Sequence, residues 1–330
     1  MVLLALPAQP IIQTGQWVWQ TLWQIMMSQL APSRDDGTYA RPQSGFRDAV
    51  GTAQYPAASG RYRLYVGLSC PWAQRTLVVR SLKGLESAID VVVLRASVAA
   101  GGWAFVPPHA GCTTLAQFYR QAHPSYRGRS TVPVLWDTET GAIVNNESAE
   151  IIKILNSAFN AFAQHPERDL DPEALRPEIE QWNAEIYTTV NNGVYRCGFA
   201  QSQVAYDAAV TALFATLDKL DAHLASRRYL CGQPSQLTLA DVRLFTTLIR
   251  FDAVYHGLFR CDRRRIADYS HLSGYLRDLY QHPGIAETCD LEQVRQDYYQ
   301  TLFPINPGGI VPIGPDLGGL NEPTERDQLP

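Results

Sequence analysis

The spacing of apolar residues differs between the two halves of the chain, and the first half shows the alternating strands and helices of a small α/β segment. Residues 62–68 alternate apolar and polar side chains as a strand does, and residues 89–95 form the continuous apolar run of a buried strand. Further strands are predicted at 132–136 and 142–145, with helices at about 70–82 and 147–156. This order of strand, helix, strand, hairpin and helix predicts a small α/β domain with a mixed sheet over residues 46–164.

The second half of the chain shows only the helical period. Thr238 and Asp241 stand three positions apart ahead of an apolar run, which is a capping-box signature. We therefore predict an all-helical domain over residues 165–315, followed by a flexible tail over residues 316–330. The apolar positions of this domain recur every three or four residues in four segments: 178–192, 203–225, 239–256 and 265–281.

Residues 1–45 are predicted to be an N-terminal arm. Within it, residues 11–30 place Trp19, Trp23, Met26 and Leu30 at helical spacing. Such a helix either lies on a membrane surface or packs on the protein or on a sister subunit. Its polar face carries no Lys or Arg to attract anionic lipid, which favours packing on protein.

Two further segments lack a clear period. Residues 31–60 are predicted to be an irregular lead-in. Residues 96–130 form a connection so long that we expect a functional insertion.

Composition narrows the class of protein. Of 330 residues, 46% are hydrophobic and 18% charged, which indicates a globular chain. The formal net charge of -4 gives no reason to expect nucleic acid as a partner. No apolar run reaches about 18 residues, so no membrane insertion is expected. The first basic residue is Arg34, which argues against a secretory signal. Six cysteines without regular spacing predict neither disulfides nor a metal site, and favour the cytoplasm.

Cys70 is the candidate nucleophile. It lies where a strand turns into a helix, so the free N–H groups of the first turn stabilise its thiolate, and Pro71 suits the first helical position. Arg75, one turn on, is expected to add positive potential. The alternative is a buried core cysteine. Ala73 occupies the place of a resolving cysteine, so an external thiol, with glutathione as the obvious candidate, must complete any disulfide cycle.

Two segments are candidates for holding that thiol tripeptide. Pro133 is expected to be cis and to expose the backbone of Val132 for pairing with an extended peptide, unless it is an ordinary strand-edge proline. Glu147 and Ser148 begin a helix, where they either bind the charged groups of a γ-glutamyl moiety or simply cap the helix.

Two isolated side chains are weaker candidates. Arg129 either holds a carboxylate or is a solvated charge. Trp103 either covers the ligand or fills the surface.

Long ordered motifs make residues 35–315 resemble the glutathionyl-hydroquinone reductases, the Xi class of glutathione transferases. The resemblance implies a thioredoxin-like N-terminal domain, a helical glutathione-transferase-type C-terminal domain and a homodimer. The motifs are Tyr65-Val66, Ser69-Cys70-Pro71-Trp72-Ala73, Arg75-Thr76-Leu77, Gly102-Trp103, Gly128-Arg129, Thr131 to Asp137, Asn145 to Ile151, Val190 to Ala200, Tyr298-Tyr299, Ile305-Asn306-Pro307 and Ile310-Val311-Pro312.

The resemblance also implies roles for individual residues. Cys70 would be the nucleophile, and the quinol would contact Tyr195 and one or both of Tyr298 and Tyr299. Glutathione, as co-substrate, would be held by Trp103, Arg129, Val132, Pro133, Glu147 and Ser148.

The sequence departs from the family pattern at three places. Gln74 and Asp297 each stand where the family often has His, and Leu302-Phe303 replaces a Ser-His pair. The last two changes adjoin the expected aromatic site and therefore bear on substrate range.

The expected reaction is reduction of a glutathionyl-hydroquinone to the free hydroquinone through a Cys70–glutathione mixed disulfide. One alternative is an omega-like thioltransferase or dehydroascorbate reductase. Another is a non-catalytic ligand-binding protein on the same fold.

Overall fold

The computed structural model describes residues 8–330, so the first seven residues of the predicted arm lie outside it. Its α/β part is built on one six-stranded sheet with the order β4-β3-β2-β1-β5-β6. The elements are β1 (Tyr62–Gly67), α2 (Pro71–Leu82), β2 (Ile89–Ser97), β3 (Gly102–His109), β4 (Cys112–Thr114), α3 (Leu115–Ala122), β5 (Val134–Asp137), β6 (Ala142–Asn145) and α4 (Ser148–Ser157), after an N-terminal helix α1 (Ala8–Leu30).

The centre of the sheet follows the predicted order. Strand β1 pairs in parallel with β2, where Tyr62 faces Ile89, and antiparallel with β5, where Tyr65 faces Val134. The alternating pattern of β1 and the apolar run of β2 are confirmed as neighbouring strands, and β5 and β6 form the predicted hairpin. Helix α2 packs between α4 and the helical domain, which brings its N-terminus to the junction of the two domains.

The long connection predicted over residues 96–130 contains regular secondary structure that was not predicted. Strands β3 and β4 extend the sheet at one edge, and α3 follows directly. Pro107 and Pro108 interrupt the strand pattern of β3, and Val106 is exposed. The sequence of β3 therefore does not show the regular apolar alternation of a half-buried strand. The start of α3 did leave a signal, because Thr114 and Gln117 form a capping box there.

The helical half contains one long helix, several shorter ones and one small hairpin. The capping box of Thr238 and Asp241 is confirmed at the start of α8, where the Thr238 N–H donates to the Asp241 carboxylate at 2.8 Å. The elements are α5 (Arg176–Ile186), α6 (Gly193–Gly198), α7 (Gln203–His223), β7 (Cys231–Gly232), β8 (Ser235–Gln236), α8 (Leu239–Arg250), α9 (His256–Leu258), α10 (Leu272–Gln281) and α11 (Leu291–Thr301), with π-helical turns at Tyr187–Asn191 and Phe251–Tyr255.

One helix begins later than predicted, and one further helix was not predicted. Helix α10 begins at Leu272, not at residue 265, because the Asp221 side chain on α7 accepts the N–H groups of His271 and Leu272. Helix α11 was not predicted, although Asp290 caps it by accepting the Gln293 N–H at 2.9 Å. Both caps are side-chain contacts that the apolar periodicity does not report.

Helix α1 and the C-terminal tail, at the two ends of residues 8–330, both contact the rest of the fold. The predicted helix at 11–30 is confirmed as α1, and no helix of residues 8–330 is long and apolar enough to cross a bilayer. At the other end, Arg326 is buried and donates to the carbonyl oxygens of Leu224 and Arg228. The mobility of residues 316–330 stays a prediction, but this contact ties the tail to the end of α7.

Candidate active site

Cys70 lies at the N-terminus of α2 and on the wall of a cavity between the two domains. It is the N-cap residue, with extended backbone angles of φ -79° and ψ 118°, and Pro71 follows at the first helical position. Its side chain is half-buried, and its thiol donates to the carbonyl oxygen of Val132 at 3.7 Å. The predicted setting of the cysteine at a strand-to-helix junction is confirmed.

The ionisation of Cys70 differs from the expectation. Burial raises the pKa of the Cys70 thiol above its ordinary value, and this outweighs the N–H groups of Ala73 and Trp72, which lower it. The hydrogen bond to Val132 also holds the protonated form. The helix N-terminus therefore offsets part of the desolvation cost, and the thiolate is not the resting state that the sequence suggested.

Two arginines favour the thiolate, and neither was predicted. Arg250, at the end of α8, donates to the carbonyl oxygens of Ser69 and Leu68 at 3.0 Å each, so it holds the backbone that leads into Cys70. Its guanidinium and that of Arg41 both lower the pKa of Cys70. Arg41 reaches the cavity from the irregular lead-in and lies 4.0 Å over the Trp72 ring.

Arg75 does not perform the role expected of it. It is buried and donates to the Asn191 carboxamide at 2.7 Å and to the Ser148 hydroxyl at 3.4 Å. Its position joins α2 to α4 and to the helical domain, and Arg250 takes its place as the cation behind the thiol. The sequence spacing of one helical turn gave the wrong direction for this side chain.

Trp103 reaches the cavity because Gly67 leaves room for it. The indole lies on the last residue of β1, where a Cβ atom on Gly67 would come within 2.0 Å of the ring. Trp103 lines the same cavity as Cys70, and Cys70 follows Gly67 by three residues. Strand β3, which lies in the predicted connection, therefore places this side chain over the end of β1, the strand that precedes the nucleophile.

Val132 lies opposite Cys70 with its backbone beyond the end of the sheet ladder. The predicted cis bond between Val132 and Pro133 is confirmed. Pairing of β1 with β5 stops at Val134. The Tyr119 hydroxyl on α3 donates to the Thr131 carbonyl at 2.7 Å and so fixes the approach to this segment. Arg129 is exposed at the cavity rim.

Glu147 performs the helix-capping role that the sequence left open, whereas Ser148 is the first residue of α4 and its hydroxyl accepts from Arg75 at 3.4 Å. Glu147 accepts the Ala149 N–H at 3.1 Å as the N-cap of α4, and its other carboxylate oxygen accepts the Ser44 hydroxyl at 2.9 Å. Ser44 itself lines the cavity. A carboxylate and the N-terminus of a helix therefore lie directly behind the rim, where they could meet an ammonium and a carboxylate.

Three phenols form a hydrogen-bonded group on the helical side of the cavity. The Tyr298 hydroxyl lies 2.6 Å from that of Tyr195 and 3.1 Å from that of Tyr255. Burial raises the pKa of Tyr195 and Tyr298 well above the ordinary value, so both remain protonated and are available as donors. Tyr255 was not predicted. Tyr299 faces away, with its hydroxyl close to Gly257.

The residues that depart from the family pattern surround the nucleophile. Asp297 lines the cavity and accepts the Ser69 hydroxyl at 2.5 Å and the Gln293 carboxamide at 2.6 Å. Gln74 is buried one turn into α2, where its oxygen accepts from Arg250 and its nitrogen donates to the Thr288 carbonyl at 3.2 Å. Gln74 thus supports Arg250, whereas Asp297 faces the space beside Cys70.

The cavity has a volume of about 740 Å³, in the range that encloses a small ligand. Within residues 8–330 no group of three or more His, Cys, Asp or Glu side chains could hold a metal ion. Of the predicted site residues, those that line the cavity are Cys70, Trp103, Arg129, Val132, Tyr195 and Tyr298, and those that do not are Pro133, Glu147, Ser148 and Tyr299.

Comparison with known proteins identifies two family models and several relatives that match this chain. Residues 69–158 match the model of the glutathione S-transferase N-terminal domain, and residues 203–278 match that of the C-terminal domain. The chain is 46% identical to the glutathionyl-hydroquinone reductase YqjG of Escherichia coli K12 over 327 residues, which cover 94% of this chain and 97% of YqjG.

Two solved structures show the same fold. The glutathione transferase Xi of Phanerochaete chrysosporium gives a TM-score of 0.83 at 44% identity, covering 87% of this chain and 95% of that one. The glutathione-bound structure of E. coli YqjG gives 0.80 at 48% identity, covering 86% and 96%. These matches confirm the predicted pair of a thioredoxin-like and a helical domain, while the boundaries at 46–164 and 165–315 stay predictions.

Proposed function

The chain belongs to the glutathionyl-hydroquinone reductases, the Xi class of glutathione transferases, and we propose that it reduces glutathionyl-hydroquinones with Cys70 as nucleophile. Glutathione is the co-substrate, as in the glutathione-bound relative. The observation that carries the proposal is the position of the Cys70 thiol. It lies 3.7 Å from the Val132 carbonyl, on a cavity that also contains the Tyr195 and Tyr298 phenols.

The reaction has two exchanges. The Cys70 thiol loses its proton and the resulting thiolate attacks the sulfur of the glutathionyl-hydroquinone, while the bond from that sulfur to the ring carbon breaks and the ring carbon accepts a proton. This releases free hydroquinone and leaves a Cys70–glutathione disulfide. A second glutathione then loses its thiol proton and attacks the glutathionyl sulfur of that disulfide, which yields oxidised glutathione and releases the Cys70 thiolate, and this takes up a proton to restore the resting thiol.

The phenols supply the proton in the first exchange. Their raised pKa keeps Tyr195 and Tyr298 protonated at neutral pH, and the hydrogen bond between them lets one phenol stabilise the negative charge that the other acquires when it gives up its proton. The apolar faces of the same rings contact the quinol. Tyr299, whose hydroxyl lies close to Gly257 and which does not line the cavity, makes no contact with substrate.

Glutathione lies along the thioredoxin-like side of the cavity. The backbone of Val132, next to the cis Pro133, pairs with the cysteinyl residue of glutathione, and Trp103 covers it. The γ-glutamyl end extends toward Glu147 and Ser148, where the helix N-terminus meets its carboxylate, and Arg129 at the rim attracts the other carboxylate.

The test is release of free hydroquinone from glutathionyl-hydroquinone by wild type and by Cys70→Ser. Cys289→Ser is the matched control, because Cys289 is the other half-buried thiol of the described residues. We expect ping-pong kinetics for wild type and for the control, and loss of turnover by at least about 1,000-fold for Cys70→Ser. Near wild-type turnover by Cys70→Ser would refute the proposal.

We also propose a cytoplasmic homodimer. All six cysteines are free, as thiols of a reducing compartment are, and a homodimer is what the resemblance to the Xi class implies. Light scattering coupled to size exclusion would show twice the chain mass of 36.8 kDa, and a monomer would contradict this part of the proposal.

A further inference from the structure

Helix α1 provides part of the wall of the active-site cavity. Ile25, Met26 and Leu30 lie on its last two turns and line the same cavity as Cys70 and Tyr298. The N-terminal helix therefore contacts the space in which the quinol is transformed.

The C-terminal half of α1 is held in place by specific contacts. The Trp23 indole N–H donates to the Pro304 carbonyl at 3.0 Å, and Met27 is fully buried in the core. Pro304 and its neighbour Phe303 line the cavity as well. The contact thus joins α1 to the loop after α11, which lies on the opposite end of the chain, and together they form one continuous surface.

The surface that α1 presents to the cavity is apolar. No residue from Ala8 to Leu30 is charged, and three of its apolar side chains reach the cavity. The polar and charged groups of the site belong to other segments, among them Arg41 and Asp297. A ligand portion that lies against α1 therefore gains from burying hydrocarbon and finds no charged partner there.

Building on the proposed function, we propose that Ile25, Met26 and Leu30 are specificity-determining residues for the quinol. They contact the part of the ring system farthest from the glutathionyl sulfur. They favour glutathione conjugates of bicyclic or alkyl-substituted hydroquinones over those of the unsubstituted single ring. The unsubstituted single ring presents less hydrocarbon to this wall, so it gains less from it.

The experiment compares kcat/KM for two substrates, the glutathione conjugate of menadiol, which is bicyclic, and that of unsubstituted hydroquinone. The variants are Ile25→Ala and Met26→Ala. Ile12→Ala is the matched control, because Ile12 lies on the same helix and is 57% exposed, as Ile25 is, but does not line the cavity. Each substitution removes three non-hydrogen atoms from an apolar wall, which changes discrimination by roughly tenfold.

We expect the ratio of kcat/KM for the bicyclic over the single-ring substrate to fall about tenfold in Met26→Ala and less in Ile25→Ala. It stays within twofold of wild type in Ile12→Ala. Met26→Leu, which conserves volume, retains most of the preference. Melting temperatures of all variants report whether each has folded.

Two failures are distinguishable. If wild type releases hydroquinone from neither conjugate, the proposed function fails. If wild type reduces both, and folded Ile25→Ala and Met26→Ala keep the wild-type ratio, only the role of α1 is overturned. A loss in Met26→Ala that is equal for both substrates would likewise overturn it, because a specificity residue must distinguish them.

Discussion

The contact between Gly67 and Trp103 gives a sharp test of how the glutathione side of the cavity is built. Gly67→Ala places a Cβ atom 2.0 Å from the nearest Trp103 ring atom and within 3.0 Å of two more. Carbon atoms in contact lie about 3.5 Å apart, so the ring must retreat by about 1.5 Å. Gly67 has no left-handed backbone angle, so alanine adds no backbone strain there.

The displaced ring no longer covers glutathione in its original place. We expect the KM for glutathione to rise about tenfold, which corresponds to about 1.4 kcal/mol, and the free energy of unfolding to fall by about 1–3 kcal/mol from overpacking. Steady-state kinetics with varied glutathione and denaturant unfolding measure the two effects. Gly15→Ala is the control, because no atom lies within 4 Å of its added Cβ.

A double-mutant cycle identifies the cause. In a Trp103→Ala background the clash is absent, so adding Gly67→Ala should change the glutathione KM by less than twofold. The reasoning is refuted if Gly67→Ala alone leaves both the KM and the stability at wild-type values. It is also refuted if its effect is as large with the indole removed as with the indole present.

Three other predictions follow from the buried charges. Because burial raises the pKa of Cys70, the rate of its alkylation by iodoacetamide without glutathione should still increase with pH above pH 8.5, the ordinary thiol pKa being about 8.5. The rate is read from the labelled peptide, and a rate that levels off below pH 7 would contradict this. Arg250→Met removes a cation that lowers this pKa, so alkylation at pH 8 should slow by roughly tenfold relative to Arg265→Met, an exposed arginine; an equal rate in both would contradict it. Asp241→Ala leaves the buried Thr238 N–H and Tyr275 hydroxyl without an acceptor, and denaturant unfolding should show a loss of about 3 kcal/mol; a loss under 1 kcal/mol would contradict it.

Local signals in the sequence predicted the nucleophile and its immediate surroundings. The pair of Cys70 and Pro71 marks a helix start by backbone chemistry alone, and the Thr238–Asp241 capping box works in the same way. The cis bond before Pro133 followed from the motif that contains it. These features depend on residues within a few positions of one another, which is why a single sequence reveals them.

Features that depend on tertiary contacts were missed or misjudged. Arg250 contacts Ser69, which lies 181 positions away in the sequence, and Asp297 contacts Ser69 from 228 positions away. No local sequence pattern predicts either contact. The Cys70 pKa was misjudged for the same reason: the helix N-terminus is visible in the sequence, whereas the burial that outweighs it is produced by tertiary packing. Arg75 was assigned to the thiol by spacing, but its side chain follows the other face of α2 toward Asn191.

The central claim is that the Cys70 sulfur itself takes the glutathionyl group from the substrate. The most direct measurement mixes the enzyme with excess glutathionyl-hydroquinone without free glutathione, then quantifies hydroquinone and maps the modified peptide by mass spectrometry. We predict one hydroquinone released per active site and one glutathionyl group, on Cys70. Hydroquinone release without an adduct, or an adduct on another cysteine with Cys70 unmodified, would contradict the account.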